Sequence, residues 1–560
     1  MLILKNILFK QANLLLVIEA GKEACEEISF RFVKNGSTEE IREVSANFIE
    51  QDERNIYLRI NFIIGLNEQK IELFSEGLWS LEARNLSGEK IEIIQDCSDL
   101  QAENTEIPQG IIALRKEQER ELADFNFLAS KLYYHNRSDF LDVRMLANKN
   151  SLALLIGNEK SKGYSFKKRE KKWHEALKHP RKIFVRIAMK LIFMQFLVWQ
   201  KLCKVKRQKV LFTSDSRTKI GGNEQFVYEQ LQRHHEVKSA FVYPRKIKSP
   251  FSFRYLFVLP FELATSKVIV VDDYQQAIFE VPYRKEQEIV QLWHATGAFK
   301  TFGFSRLGKA HGPSLHSKGN RVYTHAFVSS DFVKPFYAEA FGILENKVIS
   351  LGVARDDDFF DELRLQAQKE KVQKEIPAIN GKRVVLIAPT FRGDLTTEVY
   401  YPTESVLNFE QLYEYGEANN TIFLLKLHPY IAEKPIIPAP FNERVIDCSN
   451  YREVNDLLVV ADLLVTDYSS VVFNYATFER PMIFYAYDLE EYVSERDFYV
   501  NFEDFTPGEI VRNMDELLRA LSVSEMNLVK VREFKNKYYE HQDNEASKRI
   551  AEFVLELTRA

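Results

Sequence analysis

The stretch that most constrains this chain runs from Leu457 to Tyr475. Residues 457–465 are apolar apart from an interruption at Ala461-Asp462. The chain then turns polar at Thr466-Asp467-Tyr468-Ser469-Ser470 and becomes apolar again from Val471. A continuous apolar run of this length reads as a buried strand of a parallel sheet, and a polar turn with Ser and Asp reads as a helix start. The free N–H groups of such a start, beside two hydroxyls, attract an anion, most often a phosphate. Ordinary α/β domains also begin helices at Ser and Asp. No glycine-rich fingerprint is present, so the stretch alone does not separate a cap from a site.

The same pattern recurs upstream. Residues 209–214, 268–273, 288–293, 383–388 and 421–427 are apolar runs that end at polar groups. Ligands of open α/β sheets collect at those carboxyl ends. Two α/β domains are expected, 208–375 and 376–560, facing each other across a cleft. Residues 1–105 read as β, with alternation in Tyr57-Leu58-Arg59-Ile60-Asn61-Phe62 and turns at Asn35-Gly36 and Ser87-Gly88, so a small antiparallel sandwich is expected there.

Residues 106–207 read as helical, with mixed charged and apolar positions at helical spacing near 114–146. Between Ser161 and Lys209, sixteen Lys or Arg stand against two Glu. Inside lies the bulky apolar segment 183–199, interrupted by Arg186, Lys190 and Gln195. Its longest clean run falls short of the roughly 20 residues of a bilayer span. A basic helix of this kind suits the plane of an anionic membrane surface. The other reading is a buried connector with solvated basic flanks.

Composition excludes several classes. The chain is 45% hydrophobic and 28% charged with a net charge of −4, an ordinary globular balance with no general affinity for nucleic acid. Cys25, Cys97, Cys203 and Cys448 are too scattered for a disulfide framework or a zinc pattern, which points to a reducing cytoplasm. Residues 1–20 lack the pattern of a signal peptide. There is no Asp-x-Asp at a strand end and no His/Asp cluster with ligand spacing. Asp356-Asp357-Asp358 reads as a helix-start surface, and no metal or other cofactor is expected.

Four further segments accompany Ser469-Ser470: Gln291-Leu292-Trp293-His294-Ala295-Thr296-Gly297, Ala388-Pro389-Thr390-Phe391-Arg392, Leu425-Lys426-Leu427-His428-Pro429 and Glu479-Arg480-Pro481. In this order and spacing the set resembles the CDP-glycerol glycerophosphotransferase family, which builds polyol-phosphate chains of teichoic acids and some capsules. The resemblance covers residues 208–545. It implies two Rossmann-like domains in a GT-B-like arrangement. It also implies a CDP-glycerol or CDP-ribitol donor, a lipid-linked saccharide or polyol-phosphate acceptor, and a peripheral place on the cytoplasmic face of the membrane.

By the same resemblance His294 is the catalytic base. His428 and Lys426 receive the departing phosphate, with Leu427 between them. Ser469 and Ser470 match phosphate-binding serines. Pro389, Thr390, Arg392 and Arg355 contact the donor's cytidine or diphosphate. By the same resemblance Ala295, Thr296 and Gly297, which stand where the family most often has Gly-Thr-Pro, and Asn474, which stands where Asp is frequent, also contact the donor. Ala354 replaces a Pro before Arg355. The residues themselves agree with these roles. A neutral His at a strand end can take a proton near pH 7, and a Lys and a titrating His two residues apart can neutralise a diphosphate. Two other readings remain: a GT-B glycosyltransferase with a nucleotide-sugar donor, and a non-catalytic membrane-docked scaffold.

Overall fold

The computed structural model describes residues 2–10, 13–20, 28–34, 40–44, 49–51, 55–62, 74, 77–85, 87, 89–91, 93–95, 126–136, 139–148, 151–160 and 180–560, the last without 248, 280, 308, 310–311, 314–316, 318, 394–398, 432, 452 and 524–527. Two parallel sheets organise the chain from Lys206 onward. The first runs, in spatial order, Lys238–Phe241, Lys206–Phe212, Ser266–Val271, Glu288–Gln291, His325–Phe327 and Val348–Ile349. The second runs Val445–Asp447, Thr421–Leu425, Arg383–Ile387, Leu463–Thr466, Met482–Tyr485 and Glu509–Val511. Ser266–Val271 and Thr421–Leu425 are buried at every position, as sheets covered on both faces require.

Each sheet reverses its strand order once. The reversal lies between Lys206–Phe212 and Ser266–Val271 in the first sheet, and between Arg383–Ile387 and Leu463–Thr466 in the second. A crevice opens beyond the carboxyl ends of the strands at such a point. The polar segments after Phe212, Val271, Ile387 and Thr466 therefore face two crevices.

The last helix, Ala546–Arg559, does not stay with the second sheet as the expected 376–560 domain required. Ile550, Ala551, Val554 and Leu555 share a core with Val210, Phe212, Val268 and Val270 of the first. Its apolar stripe supplies the cover that one face of that sheet lacks. Asp357 accepts from the N–H groups of Ala546 and Ser547 at 2.8 and 3.0 Å, which fixes the start of the returning helix.

The N-terminal part is β, as expected for residues 1–105. One sheet holds Leu2–Lys10, Asn13–Ala20, Ile49–Gln51, Asn55–Asn61 and Ile93–Gln95. Asn13–Ala20 buries every second residue. A second sheet contains Ser29–Lys34 and Gly77–Arg84, and it also takes in Asn126–Asn136, Asp139–Asn148 and Ser151–Lys160.

This last finding corrects the helical reading near residues 114–146. Val143 and Met145 turn inward at alternate positions and 152–156 is buried throughout. The interleaved charges that matched a helical period match a two-residue period as well, and pairing with Gly77–Arg84 decides the matter. The part of that segment at 114–125, and the basic stretch 161–179, lie outside the described residues. Asn13 and Asn61 of the first β sheet donate to the buried Glu339 carboxylate of the α/β region, the second at 3.1 Å.

Helix Pro180–Leu202 links the two parts. By length and composition 183–202 is apolar enough to cross a bilayer. One of its faces is nonetheless occupied by protein. Ala188, Met189, Ile192 and Phe196 are buried, the Phe196 ring lies 5.8 Å from that of Tyr283, and Gln195 donates to the Leu256 carbonyl at 2.9 Å. Phe184, Ile187, Leu191, Met194, Val198 and Leu202 point outward. Truncating Phe196 to Ala should therefore cost about 3–5 kcal/mol of stability. Val198→Ala on the open face should stay within about 0.5 kcal/mol. Urea midpoints of the two variants measure the difference, and equal midpoints would show that the helix is not part of the α/β core.

Candidate active site

Strand Glu288–Gln291 delivers His294 through a strained turn. Trp293 has φ +54°, a left-handed value that a bulky residue adopts only when held there. Its N–H donates to Gln291 Oε1 at 2.8 Å and its carbonyl accepts from Asn223 at 2.6 Å. Its ring stacks on Phe302 at 4.7 Å. Asn223 also accepts from the Arg355 N–H at 2.8 Å, so one side chain anchors both segments.

His294 reaches a cavity of about 780 Å³ whose walls include Arg217, Asp273, Tyr274, Met189 of the linking helix and Tyr430 of the second α/β domain. Its Nδ1 lies 3.6 Å from Asp273 Oδ1. Burial lowers the pKa of His294 below 6.5, and Asp273 opposes that shift. The imidazole is neutral at pH 7. Nδ1 has no hydrogen-bond partner among the described residues. The nearby carboxylate favours the proton there, the tautomer that would offer the Nε2 lone pair to a substrate hydroxyl.

The next three residues serve a different end from the expected donor contact. Tyr337 donates to the carbonyls of Ala295 and Gly297 at 3.0 and 2.9 Å. Thr296 is buried and donates to Asp356. At Gly297 φ is +70°, and a Cβ would lie 2.3 Å from the Phe473 ring. Gly297 thus meets the second domain at Phe473, while the Tyr337 and Thr296 bonds hold the loop within the first.

Asn474 is part of the seam between the domains. It donates to Asp356 Oδ1 at 3.1 Å, so that amide proton is spent on protein and not on a polyol or ribose hydroxyl. Asp356 and Asp357 are 3% and 7% exposed, which overturns the surface reading of the acidic run. Burial raises the pKa of Asp356 to about 6 against the nearby Arg355. The Arg355 side chain has a buried Nε with no partner among the described residues, and its charge acts on both His294 and Asp356.

Across the seam, His428 lies between the rings of Phe391 and Tyr430, 4.9 and 4.8 Å away. Its Nδ1 accepts from the Tyr430 N–H at 3.2 Å, leaving the proton on Nε2. Burial first, then Lys300, Lys426 and Lys434, push its pKa down to about 4. It is thus a neutral donor at pH 7 and not the titrating partner expected. Lys426 is buried, and its ammonium donates to the Ser449 carbonyl at 3.0 Å. Leu427 is core: its side chain is 1% exposed and its N–H donates to Ser449 Oγ.

Thr390 donates through its N–H to Asp467 at 2.7 Å, and its hydroxyl is buried with no partner among the described residues. Pro389 precedes it at the same strand end. Arg392 is held by both Asp467 and Asp488 and is not available to a donor. Ser469 is half-buried and Ser470 exposed. Helix Val471–Ala476 behind them has only six residues and no side-chain cap.

Sequence reasoning missed Asp273, Asp356, Arg217 and Lys300. Asp273 and Lys300 carried a signal, since one ends an apolar strand and the other follows His294 in the same loop. No group of three His, Cys, Asp or Glu that could hold a metal occurs among the described residues.

The depressed pKa of His428 has a consequence for stability. Between pH 6.5 and about 4 the unfolded chain binds a proton there that the folded chain refuses. Stability is therefore lost as pH falls through that window. His428→Asn should flatten the loss, as read from urea midpoints at pH 7 and pH 4.5. A variant as acid-sensitive as the parent would show that His428 is not shielded.

Comparison with known proteins adds four findings. The family model described as CDP-Glycerol:Poly(glycerophosphate) glycerophosphotransferase matches residues 193–556. The chain is 45% identical over 356 residues to the teichoic acid ribitol-phosphate polymerase TarK of Staphylococcus aureus (strain NCTC 8325 / PS 47), covering 62% of this chain and 69% of that protein. It is 43% identical over 348 residues to TarL of the same organism, covering 62% of each, so it spans less than two thirds of that relative. Among solved structures, the wall teichoic acid polymerase TagF shares the fold, with a TM-score of 0.54 at 19% identity over 70% of this chain and 98% of that one.

Proposed function

The chain belongs to the CDP-glycerol:poly(glycerophosphate) glycerophosphotransferase family, and from that premise we propose that it moves ribitol phosphate from CDP-ribitol to a hydroxyl of a lipid-linked saccharide or growing polyol-phosphate chain, releasing CMP. The choice of ribitol over glycerol rests on likeness to the two ribitol-phosphate polymerases. The observation that carries the reaction is His294, beside Asp273 and presented to a cavity that Tyr430, the neighbour of His428, closes from the opposite domain.

In this reading residues 206–375 with 546–559 form the acceptor side and 376–545 the donor side. His294 Nε2 takes the acceptor proton. The freed oxygen attacks the polyol-bearing phosphorus, and the bond to CMP breaks. His428 donates its Nε2–H to the departing phosphate, with Ser469, Ser470 and the Thr390 hydroxyl beside it. Lys426 and Arg355 supply fixed positive charge. Such transfer needs positioning and charge neutralisation more than covalent help.

His294→Ala should lower turnover on the order of 10²-fold or more and leave the fold intact, since that side chain is 42% exposed. CMP release from CDP-ribitol, CDP-glycerol and a nucleotide sugar checks both points. Turnover by His294→Ala near the parent's removes the base from the mechanism. Turnover of the nucleotide sugar instead restores the glycosyltransferase reading.

We also place the protein on the cytoplasmic face of the membrane, with the open face of helix Pro180–Leu202 on the lipid. The outward apolar residues share one side of the helix, Arg186 and Lys190 are exposed among them, and Met189 on the inner side reaches the cavity. The N-terminal sheets, read as a small sandwich, form a docking module on the acceptor side. Ile187→Glu with Val198→Glu should release the protein from anionic vesicles while turnover of a soluble acceptor continues. Undiminished sedimentation with vesicles would place the contact elsewhere.

A further inference from the structure

We propose that Lys300, a residue of the acceptor side, completes the diphosphate site of the donor side from across the seam. This rests on the CDP-polyol reading above and adds to it a residue and a direction of contact.

The backbone around Lys300 is held by the opposite domain. Lys300 pairs with Phe498 in an isolated antiparallel bridge. Thr301 donates to the Asp497 carbonyl at 3.0 Å, and Tyr499 donates to the Phe299 carbonyl at 2.9 Å. The Phe299 ring stacks on Phe498 and Phe505 at 4.5 and 4.0 Å. The side chain then crosses Tyr492, with Nζ 5.4 Å from the ring centroid.

At that point the ammonium lies among Asp467, Arg392, Arg496 and His428. Asp467 is the one anion of the four, and it is already engaged. Its Oδ2 accepts from Arg392 at 2.9 Å, and its Oδ1 accepts from the N–H groups of Thr390 and Tyr468 at 2.7 and 2.6 Å. The Lys300 ammonium has no hydrogen bond or ion pair among the described residues, and it lies over the Tyr492 ring. Burial lowers its pKa to about 8, which Asp467 only partly opposes.

A half-buried ammonium beside two guanidiniums is costly unless an anion joins it. Apart from the engaged Asp467, the charged groups nearest it are the cations Arg392 and Arg496, with the neutral His428 close by. Tyr468 stacks on Tyr492 at 3.9 Å. A nucleoside diphosphate supplies the missing anionic oxygens. When the acceptor oxygen bonds to phosphorus and the P–O bond to CMP breaks, the released phosphate gains charge beside Lys300, and the acceptor proton rests on His294.

The test is binding of CDP, CMP and cytidine to the full chain by calorimetry. Lys300→Ala and Lys300→Met should bind CDP about tenfold or more weakly, with cytidine affinity unchanged, and Lys300→Arg should recover most of the loss. Parental CDP affinity in the Ala and Met variants overturns the proposal. So does an equal loss for cytidine, which marks a structural role. If the unmodified protein itself fails to bind CDP, the CDP-polyol reading falls, a failure visible before any Lys300 variant is made.

Discussion

One buried carboxylate, Asp356, holds the two halves of the candidate site in register. It accepts from Thr296, in the loop that carries His294, and from Asn474, in the helix behind Ser469-Ser470, with the Tyr539 hydroxyl 3.4 Å away. Burying an unpaired carboxylate costs several kcal/mol, and donors from three segments offset that cost only while the segments stay together. Asp357 does the same for the returning C-terminal helix. Two adjacent residues thus fix the acceptor loop, the donor helix and the last helix. The separation between His294 and the serines is set by protein contacts and exists before any ligand arrives.

The electrostatics divide the labour between the two histidines. Burial lowers both pKa values. At His294 a carboxylate, Asp273, opposes the shift; at His428 three lysines add to it. His294 is therefore the more basic, and its free Nε2 is suited to receive a proton. His428 keeps the proton on its Nε2 and is suited to donate a hydrogen bond without ever becoming charged. Environments that push two like groups apart assign their roles. In the proposed reaction, charge compensation falls to the cations Lys426, Arg355 and Lys300.

The legible part of the sequence was whatever depended on local pattern. Most apolar runs named parallel strands. The run from Leu457 is different: it begins in helix Val454–Val460 and only Leu463–Thr466 is strand, because the break at Ala461-Asp462 ends the helix. The polar residues after the strands named His294, His428, Thr390 and Ser469 as candidates, because a parallel strand must end at the same edge of its sheet every time. What depended on distant partners was hidden. The acidic run at 356–358 looks like a solvated helix start until Asn474 and Ala546 are brought to it. Thr296 and Asn474 stand at motif positions, yet their protons go to one another's carboxylate neighbour. The strands at 126–160 were misread because a mixed charged and apolar segment satisfies both periods, and only pairing with Gly77–Arg84 selects one. The crossing of Ala546–Arg559 back to the first sheet had no local signal, since an amphipathic helix does not say which sheet it covers.

In the membrane-bound reading proposed above, the linking helix sets the distance between these points and the lipid. A helix with side chains is about 10–12 Å across. Met189 lies on the wall of the His294 cavity, while Phe184, Ile187, Leu191, Met194 and Val198 face outward from the same helix. If the outward face rests on lipid, the cavity begins about one helix diameter above the bilayer surface. An acceptor tethered to lipid then reaches His294 with only a short polar spacer, and diffusion along the membrane replaces capture from bulk solution. The donor has no such constraint, because its side of the site lies in the domain farther along the chain and across the seam. In that membrane-bound reading, one helix with two apolar faces serves twice: its inner face is core that Phe196 locks in place, and its outer face would set which acceptors come within reach.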